Sequence, residues 1–106
     1  MRAAMKLLIM ALALQAPTGQ CDSATARAIS RATACVHGEA TRMSRSRERA
    51  EAVATAAIAR CEDQFTAVRA AINPCEGWAG GRTLDRMIRQ RLRNRAIGTV
   101  VNVRTR

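Results

Sequence analysis

Four cysteines in this chain of 106 residues form two pairs of equal spacing. Cys21 and Cys35 are fourteen residues apart, and so are Cys61 and Cys75. Fourteen residues make nearly four helical turns, so the two cysteines of a pair share one helix face but lie about 21 Å apart. Bridged Cα atoms lie within about 7 Å of each other. Helical segments therefore exclude a disulfide inside either pair.

Disulfides between the two pairs can join the helices in a parallel or an antiparallel arrangement. The antiparallel arrangement needs only a hairpin turn, whereas the parallel one needs a return crossing as long as the helices. We therefore predict the bridges Cys21–Cys75 and Cys35–Cys61, with a turn near Glu48. This layout resembles the twin Cys-x9-Cys helical hairpins, with thirteen residues in place of nine between the cysteines of a pair.

Apolar periodicity supports this hairpin. The second segment has an apolar stripe in steps of three and four residues, as a buried helix face requires: Ala54, Ile58, Cys61, Phe65, Val68 and Ile72. The disulfide register places opposite them Arg42, Gly38, Cys35, Arg31, Ala28 and Ala24. Asp22 or Ser23 can cap the first helix, and Pro74 is expected to stop the second. Gly38 leaves open whether the first helix continues or ends there, before a longer loop.

Residues 1–20 have the pattern of a cleaved secretory signal peptide. Arg2 and Lys6 precede the apolar run at positions 7–14, and a polar, small-residue segment follows. The run is about half as long as a membrane-spanning helix requires. Export also fits four cysteines in a short chain, because disulfides persist in oxidising compartments. We therefore expect a periplasmic or secreted protein.

The net charge of +10 is distributed unevenly. Residues 21–78 contain eight arginines against seven acidic residues, whereas residues 79–106 contain eight arginines against Asp85 alone. A basic segment attached to a nearly neutral one favours an acidic partner, such as an anionic polymer, a membrane surface or nucleic acid.

The basic segment has the pattern of a third helix. Gly80 and Gly81 are interpreted as a hinge, Thr83 as a cap and Gly98 as the helix end, followed by a short flexible tail. An apolar stripe comprises Leu84, Ile88 and Leu92, joined by Met87. This stripe is expected to pack on the hairpin or to dock on a partner protein. The residues predicted to bind an anion are Arg82, Arg86, Arg89, Arg91, Arg93 and Arg95.

Other chemistry has little support in the sequence. Four thiolates on two long helices cannot converge on one zinc ion, and the chain has no Cys-x-x-Cys motif. His37 is the only histidine, and no glycine-flanked serine accompanies it as a nucleophile. We predict no catalytic site, metal or cofactor, and the sequence indicates no small-molecule substrate.

These patterns predict an all-α protein with a disulfide-stapled antiparallel helical hairpin and a third basic amphipathic helix. The expected divisions are a signal peptide at 1–20, the hairpin at 21–78, and the glycine hinge, arginine-rich helix and tail at 79–106. The expected function is non-catalytic binding of an anionic partner through the third helix. The alternative is a structural or assembly protein that docks a partner on the apolar stripe.

Overall fold

The protein is all-α in a computed structural model that describes the backbone from Arg2 to Arg106 and the side chains from Cys21 onwards. Its helices are α1 (Arg2–Met43), α2 (Ala50–Arg60) and α3 (Glu62–Arg104), and the described backbone contains no strand. The signal peptide predicted over residues 1–20 lies outside the described side chains and stays a prediction.

A kink divides α3 into two antiparallel segments. Gly77 has φ +72° and ψ 173°, a conformation that is accessible almost only to glycine. The chain reverses there, three residues after Pro74, and not at the predicted Gly80–Gly81 hinge. We call residues 21–43 the first arm, residues 50–76 the second arm and residues 78–104 the third arm. Gly81 instead lies against the second arm, where an added Cβ would collide with the Asn73 side chain.

Two disulfides join the first and second arms. Cys21 is bonded to Cys75 with a Cα–Cα distance of 6.2 Å, and Cys35 to Cys61 with one of 6.0 Å. These are the partners that the equal spacings predict for antiparallel helices. The bridges are nested, because the inner one closes the hairpin and the outer one ties its base.

The second arm presents the apolar face that the periodicity predicts. Phe65, Val68 and Ile72 are almost completely buried. Ala54 and Cys61 are buried with them, and Ile58 packs at the edge of the same core. The stripe prediction for this arm is confirmed.

The first arm turns inward only part of the predicted face, since Ala28 is buried as predicted but other predicted residues are not. Its buried residues are Ala28, Ala32, Val36 and Ala40, whereas the predicted facing residues Arg31, Gly38 and Arg42 are exposed. The prediction treated two helices alone. Because a third helix shares the core, the first arm faces the space between both neighbours, and its bridged Cys35 lies at the edge of the core.

The third arm packs back on the hairpin and completes a three-helix bundle. It runs antiparallel to the second arm, since Gly81 lies beside Ile72 and Arg89 pairs with Glu62. It runs parallel to the first arm, since Arg104 contacts Ser44. Leu92 and Ala96 join the core, and Leu84 and Ile88 pack against it. Met87 does not belong to this stripe, because its side chain is 58% exposed.

The predicted end at Gly98 and the flexible tail are wrong. The helix continues through Gly98 to Arg104, and Val100 is fully buried in the core. The β-branched residues around Val100 have a weak intrinsic preference for extended structure. Burial of Val100 in the core stabilises the helix more than this preference disfavours it. Likewise, the first helix continues through Gly38 to Met43.

Arg104 attaches the end of the third arm to the hairpin loop. Its guanidinium donates hydrogen bonds to the carbonyl oxygens of Ser44 (2.9 Å), Ser46 (2.8 Å) and Glu48 (2.6 Å). These carbonyls lie where the chain leaves one helix and enters the next, so backbone partners are lacking. One side chain therefore satisfies three loop acceptors.

Candidate functional site

The six predicted anion-binding arginines all lie on the third arm, but they do not have the same environment. Four of them, Arg82, Arg86, Arg91 and Arg95, are exposed, and Arg93 is half-buried. The described side chains include no acidic ion-pair partner for any of these five. We call these five residues the basic face.

Arg89 differs from the five residues of the basic face because it has acidic partners inside the bundle. Its guanidinium donates two hydrogen bonds to the Glu62 carboxylate, at 2.8 and 2.9 Å, and a third to Asp85 Oδ2 at 3.0 Å. It also lies over the Phe65 ring, 4.5 Å from the ring centre, where a cation is attracted to the aromatic face. Three of its five N–H donors are thus engaged inside the bundle, so we leave Arg89 out of the basic face.

The titration of this cluster follows from its contacts. The hydrogen bonds from Arg89 hold the pKa of Glu62 below its ordinary value, and the charges of Arg89 and Arg69 act in the same direction. In return, the hydrogen bond to Glu62 raises the pKa of Arg89, despite the opposing effect of partial burial. The contacts of Arg89 with Glu62 therefore link the second and third arms through an ion pair.

The buried position of Asp85 leaves the basic face without a nearby negative charge from the third arm. It is the only acidic residue of the third arm, and it is buried and paired with Arg89. The acidic charge thus lies against the hairpin, on the side away from solvent. The five arginines of the basic face span about 20 Å along the helix axis with no exposed carboxylate of the third arm among them.

The basic face has two flanks. Arg86 and Arg93, two turns apart, border a shallow depression of about 220 Å³, which is also lined by Arg89 and by Thr55 and Ile58 of the second arm. Arg91 and Arg95 lie one turn apart on the other flank. Neutral Gln90 and Asn94 lie between the flanks, and the Gln90 amide donates a 3.4 Å hydrogen bond to Asn94 Oδ1. This arrangement offers charge and hydrogen-bond donors over one extended surface.

A second group of arginines lies at the hairpin end, and sequence reasoning missed it. Arg45, Arg47 and Arg49 are exposed in the loop. Arg104 holds this loop, so the exposed Arg106 is also at this end of the bundle. The alternating arginines of the loop were the available signal, but counting them with the nearly neutral hairpin concealed it. The described side chains therefore form a second cluster of positive charge at this end of the bundle.

The apolar stripe is engaged within the molecule. Leu92 is 3% exposed, and Leu84 and Ile88 pack against the hairpin core. A partner protein could reach Leu92 only if the third arm detached, and Leu84 and Ile88 are only partly exposed. The geometry therefore gives little support to docking through this stripe.

The described residues offer few features for other chemistry. His37 is exposed in the last two turns of the first helix, with Nδ1 3.5 Å from Thr99 Oγ1. From Cys21 onwards, no three histidine, cysteine or acidic side chains gather as metal ligands, and all four cysteines are in disulfides. Within the searched part of the chain, no helix has the length and hydropathy of a membrane span.

The two disulfides are typical of an oxidising extracellular or periplasmic environment. Comparison with protein-family models, curated proteins and solved structures found no match to this chain.

Proposed function

We propose that this protein is an exported, non-catalytic binding protein for an anionic polymer, and that the basic face makes the contact. The observation that carries the proposal is the separation of charge on the third arm. Arg89 neutralises Asp85 inside the bundle, and five other arginines project from the same helix without ion-pair partners among the described side chains. Such a surface attracts polyanions by releasing their counterions.

The proposal also includes export by cleavage of the leader at residues 1–20. A charged start, a short apolar run and the two downstream disulfides support this route. In the oxidising compartment, anionic polymers of the cell envelope are the candidate partners. Lipid head groups and nucleic acid also present negative charges to such a surface, so the proposed partner class is a polyanion.

Binding to dextran sulfate, a flexible polyanion without bases or lipid chains, tests this function. We expect the affinity to fall steeply between about 50 and 200 mM salt. The double variant Arg86→Gln/Arg93→Gln should weaken binding and reduce the slope of log affinity against log salt by about 1 to 2. Both positions belong to the basic face, and neither arginine forms an ion pair among the described residues.

The matched control is Arg27→Gln/Arg31→Gln on the first arm. Both arginines are exposed there, and the variant removes the same formal charge. It should retain most of the affinity and the salt slope. Equal losses in the two double variants would mean that net charge alone drives binding, and the assignment to the basic face would be wrong.

A further inference from the structure

An open groove of about 920 Å³ runs between the first and third arms. It does not include the ion pair of Arg89 and Glu62, which lies between the second and third arms. Its floor includes Val36, Leu92 and Ala96, which are at most 3% exposed. One wall is formed by the small side chains of Ala26, Ser30 and Ala34. Most of the groove surface is therefore hydrocarbon.

The groove results from side-chain size. Ala26, Ser30 and Ala34 recur every fourth residue and share one face of the first arm. None of them is long enough to fill the space in front of Leu92 and Ala96 on the third arm. No disulfide joins these two described arms, whereas two join the first arm to the second. The space between the first and third arms is consequently left partly open.

The charge of the groove has one sign. Among the described lining residues, Arg95 is the only one with a permanent charge, and none is acidic. The hydroxyls of Thr33 and Thr99 donate to the carbonyl oxygens of Ile29 (2.7 Å) and Arg95 (3.0 Å), so the walls hold few free donors. Arg95 has no ion-pair partner among the described side chains. An apolar trough with one available guanidinium fits a ligand with an apolar body and an anionic end.

We propose that this groove binds a single-chain anionic amphiphile, with its acyl chain along the floor and its head group at Arg95. The volume lies within the range of small-molecule sites, which are mostly apolar with few polar groups. The lining residues from Ala26 to His37 span about 16 Å of helix, which suits an extended acyl chain. A second copy of the protein fits less well, because its net positive charge opposes approach to a groove bordered by arginine.

This inference goes beyond the proposed function. Polymer binding requires the arginines of the basic face but no groove, and the polymer test changes Arg86 and Arg93, which do not line the groove. Only Arg95 belongs to both surfaces. Either proposal can therefore fail while the other holds.

Calorimetric titration of the mature protein with dodecanoate, below its micellar concentration, tests the groove. We expect saturable binding of one dodecanoate per chain. Ala34→Leu places a larger side chain in the groove and should lower the affinity at least ~10-fold. Ala59→Leu is the matched control, because it makes the same change at an exposed site on the second arm and should leave the affinity unchanged.

The role of Arg95 is tested by comparing charged and neutral chains. Arg95→Gln should weaken dodecanoate binding about 5- to 10-fold and leave dodecanol binding unchanged. Three results would overturn the proposal: no saturable dodecanoate binding, equal binding to Ala34→Leu and the wild type, or self-association through the groove that dodecanoate does not displace. The last result would assign the groove to a second copy of the chain.

Discussion

Arg89 and Arg104 differ from the other arginines of the third arm because their guanidinium groups form contacts that hold the bundle together. Arg89 joins the second and third arms through Glu62, and Arg104 holds the hairpin loop through three carbonyl oxygens. A guanidinium suits both tasks, because its planar donors can engage several acceptors at once. Residue type therefore does not reveal which arginines are available to a partner.

The ion pair of Arg89 and Glu62 predicts how stability depends on pH. The pKa of Glu62 is lower in the folded protein than its ordinary value of 4.5, so the folded state binds this proton less tightly than the unfolded state. The resulting stability is present above the ordinary value and is lost as the pH falls through the folded value. Glu62 is half exposed, so the effect is expected to be about 0.5–1 kcal/mol.

Urea unfolding from neutral to acidic pH measures this effect. Glu62→Gln should lower the free energy of unfolding at neutral pH and reduce its fall on acidification. Glu51→Gln is the control, because Glu51 is exposed and forms no ion pair with a described side chain. If both variants follow the wild-type pH profile, the pair contributes nothing measurable.

At the scale of the helices, the third arm depends on the core it enters. Glycines at 80, 81 and 98 lower its helix propensity, and like-charged arginines four residues apart, such as Arg91 and Arg95, repel each other, so the arm alone is a weak helix. Its last two turns are held by Val100 in the core and by Arg104 on the loop. Packing against the hairpin therefore determines where this helix ends.

Val100→Ala tests whether the end of the third arm contributes to the bundle. Val100 is fully buried, and its truncation should lower the free energy of unfolding by about 1–2 kcal/mol through lost burial and an unfilled cavity. Val101→Ala, at a neighbouring site that is 47% exposed, should change it by less than about 0.5 kcal/mol. Similar small effects in both variants, measured by thermal or urea unfolding, would restore the prediction of a flexible tail.

The sequence predicts the hairpin much better than the third arm. Equal cysteine spacing and the stripe that ends at Ile72 define the antiparallel pair, because both depend on local helical geometry. The sequence predicts the chain reversal at Gly80 and Gly81 and not at Gly77, because a glycine at any of these positions indicates a helix break. Only the packing of Gly81 against the second arm shows that the reversal occurs earlier. The groove beside Ala34 was not predicted at all, because it depends on how the first and third arms meet, which no cysteine fixes.

At the scale of the whole molecule, the two bridges differ in access. Cys75 of the outer bridge is exposed at the end of the bundle, whereas Cys61 of the inner bridge is completely buried. Each bridge restricts the unfolded chain and should contribute about 3–4 kcal/mol to stability. Cys21 and Cys35, the other halves of the two bridges, are both half-buried, so the outer bridge is the more accessible one through Cys75, and reductants are expected to attack it first.

We expect graded reduction to produce an intermediate that retains only the Cys35–Cys61 bridge. Alkylation followed by peptide mass mapping should find Cys21 and Cys75 labelled before the other two cysteines. In denaturant, which removes the difference in access, both bridges should be reduced at similar rates. Earlier labelling of Cys35 and Cys61 under native conditions would contradict the burial of the inner bridge.

The nested bridges also determine how the molecule responds to proteolytic cleavage. A single cut after Arg45, Arg47 or Arg49 lies between Cys35 and Cys61, so the two fragments remain covalently linked by both bridges. A cut at the exposed turn around Gly77 lies beyond Cys75. The third arm would then be held by non-covalent packing alone, and its dissociation would release a separate arginine-rich peptide.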